Sequence, residues 1–185
     1  MKNIALILFF IIVSIGYAHA QKFGYIDSEY IMAKMPEYSK AQKELNKASE
    51  NWQKELEKMR LGVEDLRKKF QAEEVLLTEE MKKERQDTIQ VREKAMRDFQ
   101  KKVFGFEGML FLKKQELVKP VQDKLYEAVE KVAKAKQLQI VFDKSGELVM
   151  IYTNPIHDYS DFVLDELGLG DKNDKPDNER YNNKY

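Results

Sequence analysis

The sequence predicts an α+β protein that is mostly α-helical, with a long antiparallel helical hairpin (a coiled-coil arm) projecting from a small β head. The first observation is a pair of short β-prone stretches, FGYI at 23–26 and LQIVF at 138–142, each followed by an aspartate. The second is that the residues between them, more than a hundred, carry helical periodicity and almost no β signal. The two stretches therefore mark where the chain leaves and re-enters one head.

Residues 1–20 are interpreted as a secretory signal peptide. Lys2 gives a positive start, residues 4–15 form an almost unbroken apolar run, and AHA at 18–20 is a small-x-small cleavage site. An apolar run of this length is short for a membrane span, which favours cleavage after Ala20 over a retained anchor. The mature chain is expected to start near Gln21 and to work outside the cytoplasm.

The amino-acid composition argues against several classes of function. There is no cysteine, and His157 is the one imidazole left once His19 leaves with the signal peptide. Zinc sites and Cys/His nucleophiles are therefore excluded. The FGFEG segment at 104–108 lacks the Gly-Lys-Ser/Thr that a nucleotide-binding loop needs. We predict a protein that is not an enzyme and that uses no metal or other cofactor.

Charge is distributed unevenly along a chain whose formal net charge is zero. Residues 40–119 hold 20 Lys and Arg against 16 Asp and Glu, whereas residues 143–185 hold 5 against 10. The middle is therefore mildly basic and the C-terminal region is acidic. Because the helices interleave both signs of charge, nucleic acid is not an expected partner.

The first long helix is predicted to start at Pro36, because a missing N–H has no consequence in the first helical turn. Its apolar residues recur at steps of three and four, which is the spacing of a coiled-coil seam. These seam residues are Ala41, Leu45, Ala48, Trp52, Leu56, Met59, Val63, Leu66 and Phe70.

The seam stops near residues 74–78, where Thr78 followed by two glutamates has the pattern of a new helix N-terminus. A second apolar stripe runs from Met81 through Leu110 to Val132. It is less regular, because Arg85, Arg92 and Lys114 occupy seam-like positions, and Pro120 is expected to kink or interrupt it. The interruption near the turn favours a hairpin within one chain over a plain dimerising coiled coil, which needs no such break.

The head is predicted to contain three strands. Residues 138–143 and 147–153 are interpreted as a β-hairpin that turns at Gly146, and residues 23–26 supply the third strand. Both faces of this sheet are apolar, so it needs a cover on each side. The end of the second helix covers one side, and another copy of the chain covers the other. The predicted oligomerisation residues are Phe23, Tyr25, Ile26, Ile140, Phe142, Leu148, Met150 and Tyr152.

The predicted domain organisation follows from these elements. A short helix that opens at Ser160 and stops at Gly168 completes the head. A turn centred near residue 76 places Met59 opposite Glu93 in the hairpin. The boundaries are a signal peptide at 1–20, a head at 21–35 and 112–168, a hairpin arm at 36–111 with its turn near 74–78, and a disordered tail at 169–185, which ends the acidic region.

This order of parts resembles the OmpH/Skp family of periplasmic chaperones for outer-membrane proteins. The likeness covers nearly the whole mature chain, and its specificity lies in the order of the parts and in the two strand-to-aspartate junctions. The matching segments are FGYID at 23–27, MP at 35–36, KPVQDKLYEAVEKVAK at 119–134, QIVFD at 139–143 and YSDFVLDELG at 159–168.

The resemblance implies a homotrimer whose β body is shared by three chains and whose arms surround a cavity. It implies a periplasmic, ATP-independent holdase that binds unfolded outer-membrane proteins in that cavity and prevents their aggregation. The rival interpretation is an exported coiled-coil spacer that organises the cell envelope without handling clients.

Two groups of side chains are candidates for contact with such clients. One lies where aromatic residues and methionine crowd around two glycines, and its alternative role is to fill the junction of arm and head. The other lies near the arm tip, where peripheral contact with a membrane is also considered, and its alternative is an ordinary solvated face. The first group is Phe104, Phe106, Met109 and Phe111, and the second is Lys82, Lys83 and Arg85.

Overall fold

The structure is a computed structural model that describes residues 22–146 and 150–170. The predicted signal peptide, Leu148 and the tail from residue 171 onward lie outside the described residues. The described chain divides into two compact units. The helical unit comprises residues 32–124, and the β-containing unit comprises residues 22–31 together with 125–170.

Long α-helices dominate the described residues, and one small sheet accompanies them. In chain order the elements are β1 (Phe23–Ile26), α1 (Ser28–Lys34), α2 (Pro36–Glu73), a 3₁₀ turn (Glu74–Leu76), α3 (Glu79–Phe104), α4 (Met109–Lys136), β2 (Ile140–Asp143), a second 3₁₀ turn (Pro155–His157) and α5 (Ser160–Glu166). The predicted class, α+β and mostly α, is therefore confirmed.

Helices α2 and α3 form the antiparallel pair of the helical unit. α2 starts with Pro36 in its first turn, as the sequence predicts. Thr78 Oγ1 accepts a hydrogen bond from Met81 N at 3.3 Å, and Glu79 and Glu80 occupy the first turn of α3. A capping hydroxyl and acidic residues at the positive end of the helix dipole both stabilise this N-terminus.

The antiparallel register differs from the predicted one. Arg67 lies opposite Glu93, with Arg67 Nε donating to Glu93 Oε1 at 2.7 Å, so the position predicted for Met59 is taken by a residue two helical turns later. Leu77 and Thr78 have extended backbone, with ψ of 144° and 161°. Extended residues advance about 3.3 Å each, against about 1.5 Å in a helix. The apex of the hairpin therefore lies further along the chain than the predicted centre.

The apolar seam predicted on α2 is only partly covered. Ala41 and Val63 are buried, whereas the remaining seam residues are half-buried: Leu45, Ala48, Trp52, Leu56, Met59, Leu66 and Phe70. One partner helix shields one line of contact and leaves the flanks of an apolar stripe in water. The hairpin therefore keeps partly exposed apolar surface along its length.

The predicted second long helix is divided in two. α3 ends at Phe104 and α4 starts at Met109. The division falls at residues 105–108, which include two glycines, and the expectation of one continuous helix was wrong. Pro120 lies inside α4 and does not end that helix.

The β-containing unit holds a two-stranded parallel sheet. β1 pairs with β2 from Phe23 opposite Ile140 to Ile26 opposite Asp143. On its other edge, β1 forms a single bridge to the segment before α5, where Tyr159 N donates to Tyr25 O at 2.9 Å. The two distant β-prone stretches therefore pair with each other.

The predicted β-hairpin is not present among the described residues, because residues 150–153 carry no strand. The turn after β2 is held differently. Ser145 N and Oγ donate to Asp143 Oδ1 at 3.1 and 2.8 Å, and Lys144 N donates to Ile26 O at 2.7 Å. The bonds from Ser145 hold the turn to the end of β2, and the bond from Lys144 holds it to the end of β1. The prediction of a third strand here was therefore wrong for the described residues.

The apolar core of the β-containing unit draws residues from α1, α4 and α5 and from the segments beside the strands. Ile31 and Val163 have no exposed surface. The apolar stripe near the end of the predicted second helix is buried in α4 at Leu125 and Val132. The other buried apolar residues described in this unit are Tyr25, Ile26, Ala128, Leu138, Tyr159 and Leu164.

Helices α4 and α5 end in the same hydrogen-bond pattern. After α5, Leu169 N donates to Leu164 O at 2.8 Å, with Gly168 at a φ of 73°. After α4 the equivalent left-handed position is taken by Gln137, whose φ is 57°. This Schellman motif suits glycine, whereas a residue with a Cβ is strained there.

We expect Gln137→Gly to stabilise the chain. Relief of left-handed strain, offset by the greater flexibility of glycine in the unfolded chain, should raise the free energy of unfolding by roughly 0.5–1 kcal/mol. Urea titration followed by circular dichroism measures the change. Gln137→Ala keeps the strain and removes the side chain, so it is the control and should not stabilise. Equal stability of the two variants would contradict the assignment.

Candidate functional site

The break between α3 and α4 is an ordered turn. Gly105 N donates to Lys101 O at 2.9 Å, Gly108 N donates to Gly105 O at 2.9 Å, and Leu112 N donates to Gly108 O at 3.0 Å. The first bond ends α3 and the last begins α4, both with helical spacing, and the bond from Gly108 closes the turn between the two helices. These three bonds order the backbone at the break.

Two glycines make this turn possible because backbone carbonyls crowd against them. A Cβ on Gly105 would lie 2.3 Å from Lys101 O, and a Cβ on Gly108 would lie 2.6 Å from Val103 O. Between them Glu107 has a φ of 51°, a conformation that side chains rarely adopt. The sequence therefore fixes where the helix is interrupted.

A shallow groove lies at this break and has a volume of about 350 Å³. One wall comes from α2 and the other from the residues on either side of the break. Its lining is mostly apolar, with two uncharged polar side chains and one cation. The lining residues are Leu45, Asn46, Ser49, Val103, Phe104, Gly105, Leu110, Phe111 and Lys114.

The four apolar residues predicted to contact clients occupy different places around the groove. Phe104 and Phe111 line it, Phe104 being half-buried and Phe111 exposed. Phe106 and Met109 lie outside the lining, and Phe106 is 97% exposed. The structure therefore brings two of the four side chains, Phe104 and Phe111, together in the groove.

Sequence reasoning missed part of this groove. Leu45 was assigned to the coiled-coil seam, and Leu110 to the second apolar stripe, yet both line the groove. Lys114 stood out as a charged residue at a seam position, and that irregularity was the signal available in the sequence.

The three cations predicted near the hairpin tip do not form a free basic patch. Lys82 Nζ lies 2.8 Å from Glu79 Oε1, and Arg85 lies 3.7 Å from Glu73. The hydrogen bond to Glu79 raises the pKa of Lys82. Lys83 is exposed. Membrane contact through the tip stays a prediction, and the acidic partners weaken the electrostatic reason for it.

The tip also exposes aliphatic side chains that the sequence reading did not single out. Val75 is 89% exposed and Leu76 is 81% exposed. Both belong to the 3₁₀ turn that links α2 to α3. Little in the sequence indicates that they are exposed, because two apolar residues at this point continue the amphipathic pattern of the preceding helix.

The residues predicted for oligomerisation are divided between the core and the surface of the β-containing unit. Tyr25 and Ile26 are buried within the single chain, and Met150 is half-buried. The exposed members of the set are Phe23, Ile140, Phe142 and Tyr152, and they are joined by Ile151, which is 98% exposed. Apolar residues on the strands and on the following segment thus remain uncovered in one chain.

The two strand-to-aspartate junctions hold the β-containing unit together by hydrogen bonds. Ser28 Oγ donates to Asp143 Oδ2 at 2.6 Å, and Ser28 N donates to Oδ1 at 3.1 Å. Asp27 Oδ1 accepts from Tyr30 N at 2.9 Å, and Asp27 N donates to Ser160 Oγ at 2.9 Å. Each aspartate therefore ties the end of a strand to the start of a helix.

Asp143 is ionised more readily than an ordinary aspartate. Partial burial raises the pKa of Asp143, but hydrogen bonds from Ser28 and Ser145 outweigh burial and lower the pKa below its usual value. Hydrogen bonds donated to a carboxylate favour its charged form. The network is therefore strongest when Asp143 carries its charge.

We expect this network to make stability depend on pH. A folded-state pKa below the unfolded value of about 3.9 adds stability that is present above that value and is lost as pH falls through the folded pKa. The difference in unfolding free energy between wild type and Asp143→Asn should therefore shrink as pH is lowered from 7 towards 3. Urea titrations at each pH measure it. A difference that stays constant across this range would contradict the assignment. Ser28→Ala, which removes one donor, should show the same trend at smaller size.

Within residues 22–146 and 150–170, no group of three or more His, Cys, Asp or Glu side chains is arranged to hold a metal ion. Among the same residues, no helix is both long and apolar enough to cross a membrane.

An antiparallel helical hairpin in a chain that also forms a small parallel sheet defines a mostly helical α+β protein. The family model described as "Outer membrane protein (OmpH-like)" matches residues 22–167. The chain therefore belongs to the OmpH-like family, and the resemblance seen in the sequence is confirmed.

The chain is also similar to two other proteins. An uncharacterized protein of Aquifex aeolicus (strain VF5) is 30% identical over 152 residues, which cover 82% of this chain and 89% of that protein. A crystal structure from Caulobacter crescentus CB15, of a protein described as a candidate outer membrane chaperone (OmpH-like), matches with a TM-score of 0.65 and 15% identity. The match covers 81% of this chain and 84% of that one, and at this identity it shows the fold alone.

Proposed function

We propose that the chain is a chaperone of the OmpH-like type, acting as an ATP-independent holdase that binds unfolded outer-membrane proteins and prevents their aggregation. The observation that carries this proposal is the exposed apolar surface of a helical unit that buries little of its own seam. The family assignment and the Caulobacter neighbour, described as a candidate outer membrane chaperone, support a chaperone role.

The mechanism follows from the distribution of apolar surface. Apolar client segments gain by leaving water, at about 25 cal/mol for each Å² buried. The half-buried seam and the side chains around the helix break offer many such contacts, each of them small. Binding by many weak contacts holds an unfolded chain without selecting one folded shape, and release needs no nucleotide.

Self-association is part of the proposal. A two-stranded sheet is rarely stable without further cover, and the exposed Phe23, Ile140, Phe142, Ile151 and Tyr152 provide a surface for other copies of the chain. A homotrimer is the assembly that the family resemblance implies. In that assembly the head comprises residues 21–35 and 112–168, and the arm comprises residues 36–111.

The site of action is proposed to be the periplasm. The support is the basic start, apolar run and AHA cleavage site within residues 1–20, together with membership of the OmpH-like family. A holdase for outer-membrane proteins is required in that compartment, because its clients cross it before they fold.

The holdase activity is tested by light scattering. Mature protein should suppress the scattering that appears when a urea-unfolded β-barrel protein is diluted into buffer, whereas a structural spacer would leave it unchanged. Phe106→Ser should weaken suppression by roughly fivefold, the equivalent of about 1 kcal/mol for a lost aromatic contact. Tyr126→Ser, which removes an exposed aromatic ring elsewhere on α4, is the control and should behave as wild type. No suppression by the wild type would refute the proposed function.

Self-association is tested by sedimentation of Ile151→Asp. This side chain is 98% exposed in the single chain, so the substitution should leave the fold of one chain intact. A charge placed in a dry interface is costly, and the variant should sediment as a smaller species than the trimer expected for the wild type. Circular dichroism checks the helical content. A variant that stays trimeric would show that Ile151 lies outside the interface.

A further inference from the structure

The lining of the groove at the helix break combines apolar walls with a single charge. Leu45 and Leu110 face it together with the two aromatic rings Phe104 and Phe111, and Lys114 is its one charged lining residue. A groove that attracted apolar chains alone would gain nothing from a lysine, whose hydration opposes burial. The combination fits a ligand that carries an apolar group and a negative charge close together.

Lys114 is available to such a ligand, whereas its neighbour is not. Lys113 Nζ lies 2.8 Å from Glu116 Oε1, and that ion pair occupies it. Within the described residues no ion pair is recorded for Lys114, which is exposed. The two adjacent lysines thus differ in their availability to an acidic ligand, because Lys113 has a carboxylate partner and Lys114 faces the groove.

The remaining polar residues of the groove favour a peptide. Asn46 and Ser49 offer uncharged donors and acceptors, which match the N–H and C=O groups of an extended main chain. A volume of about 350 Å³ lies at the lower end of the range for ligand sites and suits one aromatic side chain with its flanking backbone. A fatty-acid carboxylate would leave these two polar side chains unused.

We propose that this groove binds a client segment in which an aromatic residue is followed by an aspartate or glutamate. The aromatic ring packs between Phe104, Phe111 and Leu45, and the acidic side chain pairs with Lys114. Asn46 and Ser49 bond to the main chain of the segment. This inference rests on the proposed holdase function and adds a preferred sequence pattern to it.

The test uses two fluorescein-labelled nonapeptides, each acetylated and amidated so that no terminal charge remains. One carries a central phenylalanine followed by aspartate, and the other carries phenylalanine followed by asparagine. Fluorescence anisotropy with the mature protein measures both affinities. The aspartate peptide should bind about three- to fivefold more tightly, as expected for one exposed ion pair. Raised salt should reduce that advantage.

Matched variants locate the preference. Lys114→Met should abolish the difference between the two peptides, whereas Lys113→Met, with the same change of charge at the adjacent position, should preserve it. Phe111→Ser should weaken both peptides about equally. Equal affinity of the wild type for the two peptides, or a difference that survives Lys114→Met, would overturn the proposal.

The experiments also distinguish a different occupant of the groove from a failure of the proposed holdase function. If decanoate binds more tightly than either peptide and depends on Lys114, the occupant is an alkyl carboxylate and the peptide assignment is wrong. If the protein suppresses light scattering but binds neither peptide, the groove inference fails while the holdase function stands. Absence of suppression refutes the holdase function whatever the peptides do.

Discussion

Two helices packed side by side can cover only the line along which they touch, and this constraint shapes the helical unit. Val63 lies on that line and is buried, whereas Trp52 and Phe70, on the same seam, stay half-buried. A third helix would dry the seam and stabilise the unit, but it would also remove the apolar surface. The hairpin thus buries less apolar surface than a three-helix unit would and is less stable for it, and a long apolar surface stays in contact with water.

Local patterns in the sequence were enough to predict the fold class and the starts of α2 and α3, but not the break between α3 and α4. Steps of three and four depend only on neighbouring turns of one helix, and the cap at Thr78 is likewise local. The register depends on the path of Leu77 and Thr78, whose extended backbone shifts Arg67 opposite Glu93. Propensity does not specify such a path. The unpaired segment at 150–153 shows the same limit, because apolar β-prone residues predict a strand without naming its partner.

The groove was half visible in the sequence. Crowding of aromatic residues around Gly105 and Gly108 pointed to the right segment, but the amphipathic stripe suggested a helix running through it. The helix breaks there because backbone carbonyls pack closely against the two glycines. Such packing is a property of the folded backbone and is not visible in a local sequence pattern. In the sequence Lys114 was only a charged residue that interrupted the stripe. Its place in a groove becomes clear from Leu45 on the opposite wall, which is distant in sequence and was assigned to the seam.

The parallel pairing of β1 with β2 has a consequence for how the chain acquires its structure. Phe23 is synthesised more than a hundred residues before Ile140, its partner. The hairpin forms from local contacts and can assemble early, while the sheet must close late because of its long loop. During that interval the open strand edge offers unpaired N–H and C=O groups to other chains. The proposed holdase therefore passes through a stage in which its own strands are open to aggregation.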